Sequence, residues 1–134
     1  MDYKVDHIGI AVKDLKKSIP LFEQLLNCPC YKTELVASEQ VETAFFIENG
    51  SKIELLQSTI EDGVIAKYID KKGEGMHHIA FEVPDIHVEM ERLKKEGFTL
   101  LNDTPKKGAD NKLVCFVHPK DCNGVLIELC QTIQ

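Results

Sequence analysis

From residue 4 to residue 12 the chain alternates. His7, Gly9 and Ala11 fall on one side and Val5, Ile8, Ile10 and Val12 mostly on the other, a period of two that predicts a strand with one apolar face. The period then lengthens. Leu21, Phe22, Leu25 and Leu26 recur at helical spacing behind Asp14 and Ser18, either of which can cap a helix; Pro20 is tolerable only in the first turn, and residues 27–29 end the helix. Residues 31–37, 41–48 and 52–57 read as three further strands, the last two joined by Asn49-Gly50, a dipeptide that accepts the positive φ angles of a tight hairpin. Next, Val64, Ile65, Tyr68 and Ile69 mark a helix over about 60–72, followed by the flexible run Lys71-Lys72-Gly73-Glu74-Gly75. Beyond it come a strand at 76–83, a helix capped by Asp85 with Ile86, Met90 and Leu93 on one face and Gly97 just past its end, and strands at 98–102, 112–118 and 125–132.

The second half repeats the first. Residues 6–15, Asp-His-Ile-Gly-Ile-Ala-Val-Lys-Asp-Leu, align without a gap to residues 77–86, His-His-Ile-Ala-Phe-Glu-Val-Pro-Asp-Ile, and residues 49–57 align to 123–131. The chain is therefore two copies of a β-α-β-β-β unit, about 4–58 and 76–132, with a linker helix between them. The class is α+β, and residues 1–134 are expected to form a single domain.

Composition narrows the function classes. With 134 residues, 43% of them hydrophobic, the chain can bury a sizeable core. A formal charge of −6 argues against a nucleic-acid or acidic-membrane partner, because such partners require a positive surface to displace counterions. Without a signal-peptide pattern or a bilayer-length apolar run, the expected location is cytoplasmic. The five cysteines, Cys28, Cys30, Cys115, Cys122 and Cys130, are an odd number and read as reduced thiols; Cys28-Pro29-Cys30 has no second close-spaced pair to complete a zinc site.

The repeat singles out four side chains. His7 and His78 open the two copies on strand faces whose neighbours, Gly9, Ala11 and Ala80, are small, while Glu54 and Glu128 close them, alternating against Ile53-Leu55 and Ile127-Leu129 so that both carboxylates leave the helix-facing layer. A single buried histidine or glutamate on a strand is ordinarily a satisfied structural residue, but the same pair retained at equivalent places in two otherwise diverged copies points to a shared metal site. His77 falls on the other parity and reads as structural. His87 and His118 have no partner in the repeat; His118, before Pro119, is a candidate for the lining of a substrate channel.

These motifs carry a resemblance. The duplicated unit with a histidine on its first strand and a carboxylate on its last resembles the vicinal oxygen chelate superfamily, whose members share a half-barrel cup, the glyoxalase-like fold. The stretches 6–12, 52–56, Gly-Glu-Gly-Met-His-His-Ile-Ala at 73–80 and His-Pro-Lys-Asp-Cys-Asn-Gly-Val-Leu-Ile-Glu-Leu at 118–129 are similar to the methylmalonyl-CoA epimerases within it, and the Asp-Pro-Asp-Gly turn usual before the last strand of glyoxalase I is absent. The resemblance implies epimerisation at C2 of an acyl-CoA, through an enolate stabilised by a divalent cation on His7, Glu54, His78 and Glu128. Cobalt is favoured, with nickel, manganese, iron and zinc compatible with such an N/O site. Glu128 is the first candidate for the catalytic base. A further glutamate that some of these epimerases carry on the third strand falls at Thr43 here. The second proton partner is accordingly a bound water, Glu54, or Glu42 brought inward by a local shift. Lys106, Lys107, Lys112 and Lys120 are candidates to attract coenzyme A phosphates, and the resemblance also implies a homodimer. The competing readings are a glyoxalase-type isomerase of a glutathione hemithioacetal and a metal-free ligand-binding protein. A dioxygenase fits less well, because its iron site usually keeps two histidines and one carboxylate.

Overall fold

The computed structural model describes residues 3–48 and 50–134. The chain divides into two compact units, His7–His77 on the one hand and the N-terminal residues through Asp6 with His78–Gln134 on the other. The first unit takes β1 (Lys4–Ala11) from His7 onward, then α1 (Leu15–Leu26), β2 (Lys32–Val36), β3 (Val41–Glu48), β4 (Ser51–Ser58) and α2 (Val64–Lys72). Its strands lie in the order β2-β3-β4-β1, with β1 parallel to β4 and the other pairs antiparallel. Most of the second unit is β5 (Gly75–Glu82), α3 (Ile86–Lys95), β6 (Lys106–Lys107), β7 (Lys112–Val117) and β8 (Ile127–Thr132), ordered β5-β8-β7-β6 with β5 parallel to β8. Both copies thus fold as β-α-β-β-β.

Each copy starts its helix with the same device. In α1, Asp14 Oδ1 accepts from the Lys16 N–H at 3.0 Å and Gln57 Oε1 takes the Leu15 N–H at 2.7 Å. In α3, Asp85 Oδ1 accepts from the N–H groups of His87 and Val88, and Gln131 Oε1 takes the Ile86 N–H at 2.8 Å. These N–H groups have no partner inside the helix, so a side-chain acceptor must be supplied from elsewhere. That requirement explains why Asp14/Asp85 and Gln57/Gln131 recur along with the histidines and glutamates.

Several expected details differ. The buried stripe of α1 is Leu15, Ile19, Phe22 and Leu26, which pack with Val12, Ala44, Phe46 and Leu55; Leu21 and Leu25 are 58% and 70% exposed. A 3.6-residue period counted from the Asp14 cap selects the first set and turns the other two leucines outward. Pro20 sits inside the helix, beyond the first turn. Val5 is exposed as well. The linker helix begins only at Val64, because the Ser58 hydroxyl donates to the Ile60 carbonyl and turns the chain before Gly63 can cap it. Of the hairpin pair, Asn49 lies outside the described residues, while Gly50 has φ 83° between β3 and β4. In the second copy both turn residues, Asn123 and Gly124, adopt positive φ.

The expected strand at 98–102 is reduced to a single bridge between Leu100 and Val117. The amide of Asn102 takes over what a strand would do, since its Oδ1 accepts from the Phe116 N–H and its Nδ2 donates to the carbonyls of Thr104 and Val114. Pairing to β7 then resumes at Lys106–Lys107. On the helix side of this unit Val83, Ile86, Met90, Leu93, Cys115, Val117 and Leu129 form the core, with Tyr3 packed on it and its hydroxyl donating to Glu89 of α3.

Candidate active site

In the first unit β1 and β4 run parallel with His7 beside Lys52 and Gly9 beside Glu54, while β3 places Phe45 on the other side of Glu54. Glycine at position 9 keeps the space next to the carboxylate open. His7 and Glu54 are each 4% exposed, and His7 Nδ1 lies 3.2 Å from Glu54 Oε2. The same oxygen is 3.3 Å from the ammonium of Lys52, itself buried. Lys52 was missed in the sequence reading, although strand alternation puts it on the face of Glu54; its equivalent in the second copy is Leu126, so the repeat did not flag it.

The second unit repeats the arrangement. Ala80 stands beside Glu128 on β5, Phe116 stands on its other side on β7, and His78 Nε2 lies 3.3 Å from Glu128 Oε1. Both side chains are buried. The Phe116 ring meets His78 edge-on at 6.0 Å, and Lys106 reaches over that ring as Lys32 reaches over Phe45. Each copy therefore holds one imidazole–carboxylate pair between a small residue and a phenylalanine, with a lysine on the ring. Phe45 is fully buried and Phe116 partly buried; the nitrogen and oxygen donors fit a borderline divalent cation such as cobalt, nickel, manganese or zinc.

The remaining candidates separate. Lys112 is not available to phosphates: its ammonium is 2.9 Å from Asp6 and 2.7 Å from Glu82 in a half-buried triad. Burial opposes its charge, yet the hydrogen bonds that it donates to Glu82 and Asp6 outweigh this and hold its pKa above the ordinary lysine value. Lys106 reaches the site through Phe116, whereas Lys107 and Lys120 are exposed. His118 Nδ1 accepts from the Lys120 N–H at 3.0 Å and caps a short turn, so this nitrogen is committed to the backbone. His87 is exposed on α3. His77 packs edge-on against Tyr68 at 4.8 Å, and burial pushes its pKa down to about 4.

No shift brings Glu42 inward. The β3–β4 ladder is unbroken from Val41 to Glu48, so Glu42 keeps the parity opposite to Thr43. Thr43 is 1% exposed, and its hydroxyl makes no hydrogen bond among the described residues. The five cysteines form no disulfide among the described residues; Cys28 and Cys30 pack against the first core, and burial raises Cys115 to about 11, which disfavours its thiolate.

Comparison with known proteins agrees with this geometry. The family model described as glyoxalase/bleomycin resistance protein/dioxygenase superfamily matches residues 6–116. The chain is 37% identical over 130 residues to the ethylmalonyl-CoA/methylmalonyl-CoA epimerase of Cereibacter sphaeroides, covering 96% of this chain and 97% of that protein. It is also 37% identical over 129 residues to the mitochondrial methylmalonyl-CoA epimerase of Homo sapiens, covering 96% and 73%. A Streptomyces coelicolor methylmalonyl-CoA epimerase variant in complex with 2-nitronate-propionyl-CoA superposes with a TM-score of 0.90 at 34% identity, over 98% of each chain.

Proposed function

This chain belongs to the glyoxalase/bleomycin resistance protein/dioxygenase superfamily, and we propose that it is an epimerase interconverting the 2R and 2S forms of methylmalonyl-CoA. The observation that carries the reading is the duplicated buried pair, His7 with Glu54 and His78 with Glu128, in a chain whose relatives and structural neighbours include epimerases of this substrate. Each imidazole–carboxylate pair would supply nitrogen and oxygen donors for a divalent cation, with cobalt favoured. When bound, the cation would supply Lewis-acid stabilisation for the negative charge that develops as C2 loses its proton.

Glu128 is the base. Its carboxylate accepts the C2 proton as the C–H bond breaks and the electron pair moves toward the thioester oxygen, leaving C2 planar. Glu128 is buried between Ala80 on β5 and Phe116 on β7, which limits the access of water to its carboxylate. Return of a proton to the opposite face from a solvent-exchangeable donor inverts the centre. Lys106, with Lys107 and Lys120 nearby in sequence and exposed, supplies positive charge for the coenzyme A phosphates.

We further propose a homodimer in the cytoplasm. The exposed Leu21, Leu25 and Leu35 support assembly, and five cysteines outside any disulfide suit a reducing compartment.

The test is solvent exchange. Incubation of the cobalt-loaded protein with (2R)-methylmalonyl-CoA in deuterated water is expected to place deuterium at C2 and scramble its configuration, and Glu128→Gln to slow this by 100-fold or more, about the worth of a lost general base. Turnover of a glutathione hemithioacetal without C2 exchange would move the function to the glyoxalase class. Tight thioester binding with neither reaction would make the protein a ligand-binding one.

A further inference from the structure

Register makes Thr43 and Val114 equivalent positions of the two copies. Thr43 pairs with Leu56 two places from the Phe45–Glu54 pair, and Val114 pairs with Cys130 two places from the Phe116–Glu128 pair. Both are buried, at 1% and 4% exposure. In one copy a methyl satisfies the site, so packing does not call for a hydroxyl there. In the other copy a hydroxyl is present, and it is buried without a hydrogen-bond partner. Such a group costs stability unless something pairs with it, and valine has the same shape without the cost. Alternation places Thr43 on the strand face of Phe45, beside Glu54. The ammonium groups of Lys32 and Lys52 lie 4.7 and 5.7 Å from the Phe45 ring centre and 3.9 and 3.3 Å from the carboxylates of Glu34 and Glu54, so cationic donors on this face offset its acidic groups. A buried donor hydroxyl on a face whose carboxylates are offset by lysines suits a carboxylate oxygen as its partner.

Resting on the epimerase reading, we infer that the Thr43 hydroxyl is a specificity-determining contact that donates to the free carboxylate of the acyl group. It separates carboxyacyl thioesters from simple acyl thioesters, because a site that hydrogen-bonds an oxygen rejects the analogue lacking it. The role is not that of a proton carrier. It is carried by one copy only, so the two halves of the repeat have divided their work.

Isothermal titration of malonyl-CoA and propionyl-CoA into the cobalt-loaded wild type, Thr43→Val and Thr43→Ser tests this, together with the thermal midpoint of each protein without ligand. Thr43→Val is expected to weaken malonyl-CoA about tenfold, one buried hydrogen bond's worth, while propionyl-CoA affinity stays within about twofold and the midpoint is unchanged or raised. Thr43→Ser should keep wild-type affinity for malonyl-CoA. Equal losses for both thioesters, unchanged malonyl-CoA affinity in folded Thr43→Val, or a valine variant that melts lower or fails to fold would each overturn the inference. Absence of C2 exchange in the wild type would sink the epimerase reading instead, independently of these affinities.

Discussion

Lys112 illustrates how a side chain's role depends on what the fold brings to it. Its sequence position among Lys106, Lys107 and Lys120 suggested a phosphate contact, but Asp6 and Glu82 are drawn to its ammonium and neutralise it inside the second unit. Lys112→Met should leave two carboxylates facing one another without a cation and cost about 2–3 kcal/mol in chemical denaturation, somewhat below the range for a fully buried pair because Glu82 retains some contact with water. The raised pKa sets the direction with pH: the stabilisation is complete below the ordinary lysine value of 10.5 and is lost as pH rises through the higher folded value, a loss that Lys112→Met should lack. At the proposed cation site, His7→Ala and His78→Ala are each expected to lose bound cobalt, read by elemental analysis after dialysis, with far-ultraviolet dichroism unchanged. Full occupancy in both variants would remove these histidines from the ligand set.

At the scale of the element, helix boundaries rest on capping side chains supplied by a strand distant in sequence. Gln131→Leu should cost about 1 kcal/mol by stranding the Ile86 N–H at the start of α3. Little change in its denaturation midpoint would mean that water replaces the amide. In α1 the exposed Leu25 should accept glutamate within about 0.5 kcal/mol, whereas Phe22→Ala, which vacates the contact with Phe46, should cost about 3 kcal/mol. Element types and order were legible because each strand and helix carries its own period. Which four residues of α1 face inward was not, since six apolar positions compete for one stripe and the cap decides the phase.

For the whole molecule, the family resemblance bears on association and the duplicated unit on the location of the proposed chemistry. Sedimentation of the cobalt-loaded protein at micromolar concentration is expected to give about twice the 15.1 kDa chain mass, and a monomer there would overturn the proposed dimer. The duplication also explains why the pairs could be read at all. Two copies drift independently, so what they still share marks common duties: the Asp14/Asp85 and Gln57/Gln131 caps serve folding, and the histidine–glutamate pairs are the ones assigned to the proposed site.

The sequence by itself determined the α+β class, the two β-α-β-β-β copies and the identity of the buried imidazole and carboxylate pairs, because periodicity and internal repetition are local or self-referential signals. Tertiary structure alone decided the features that occur in a single copy. Lys52 shares a carboxylate oxygen with His7, Lys112 is consumed by an ion triad, Asn102 replaces a strand with its side chain, and the Thr43 hydroxyl is buried without a partner. Nothing in the repeat points to these, and strand register, which fixes who stands beside whom, is set by pairing between segments far apart in the chain.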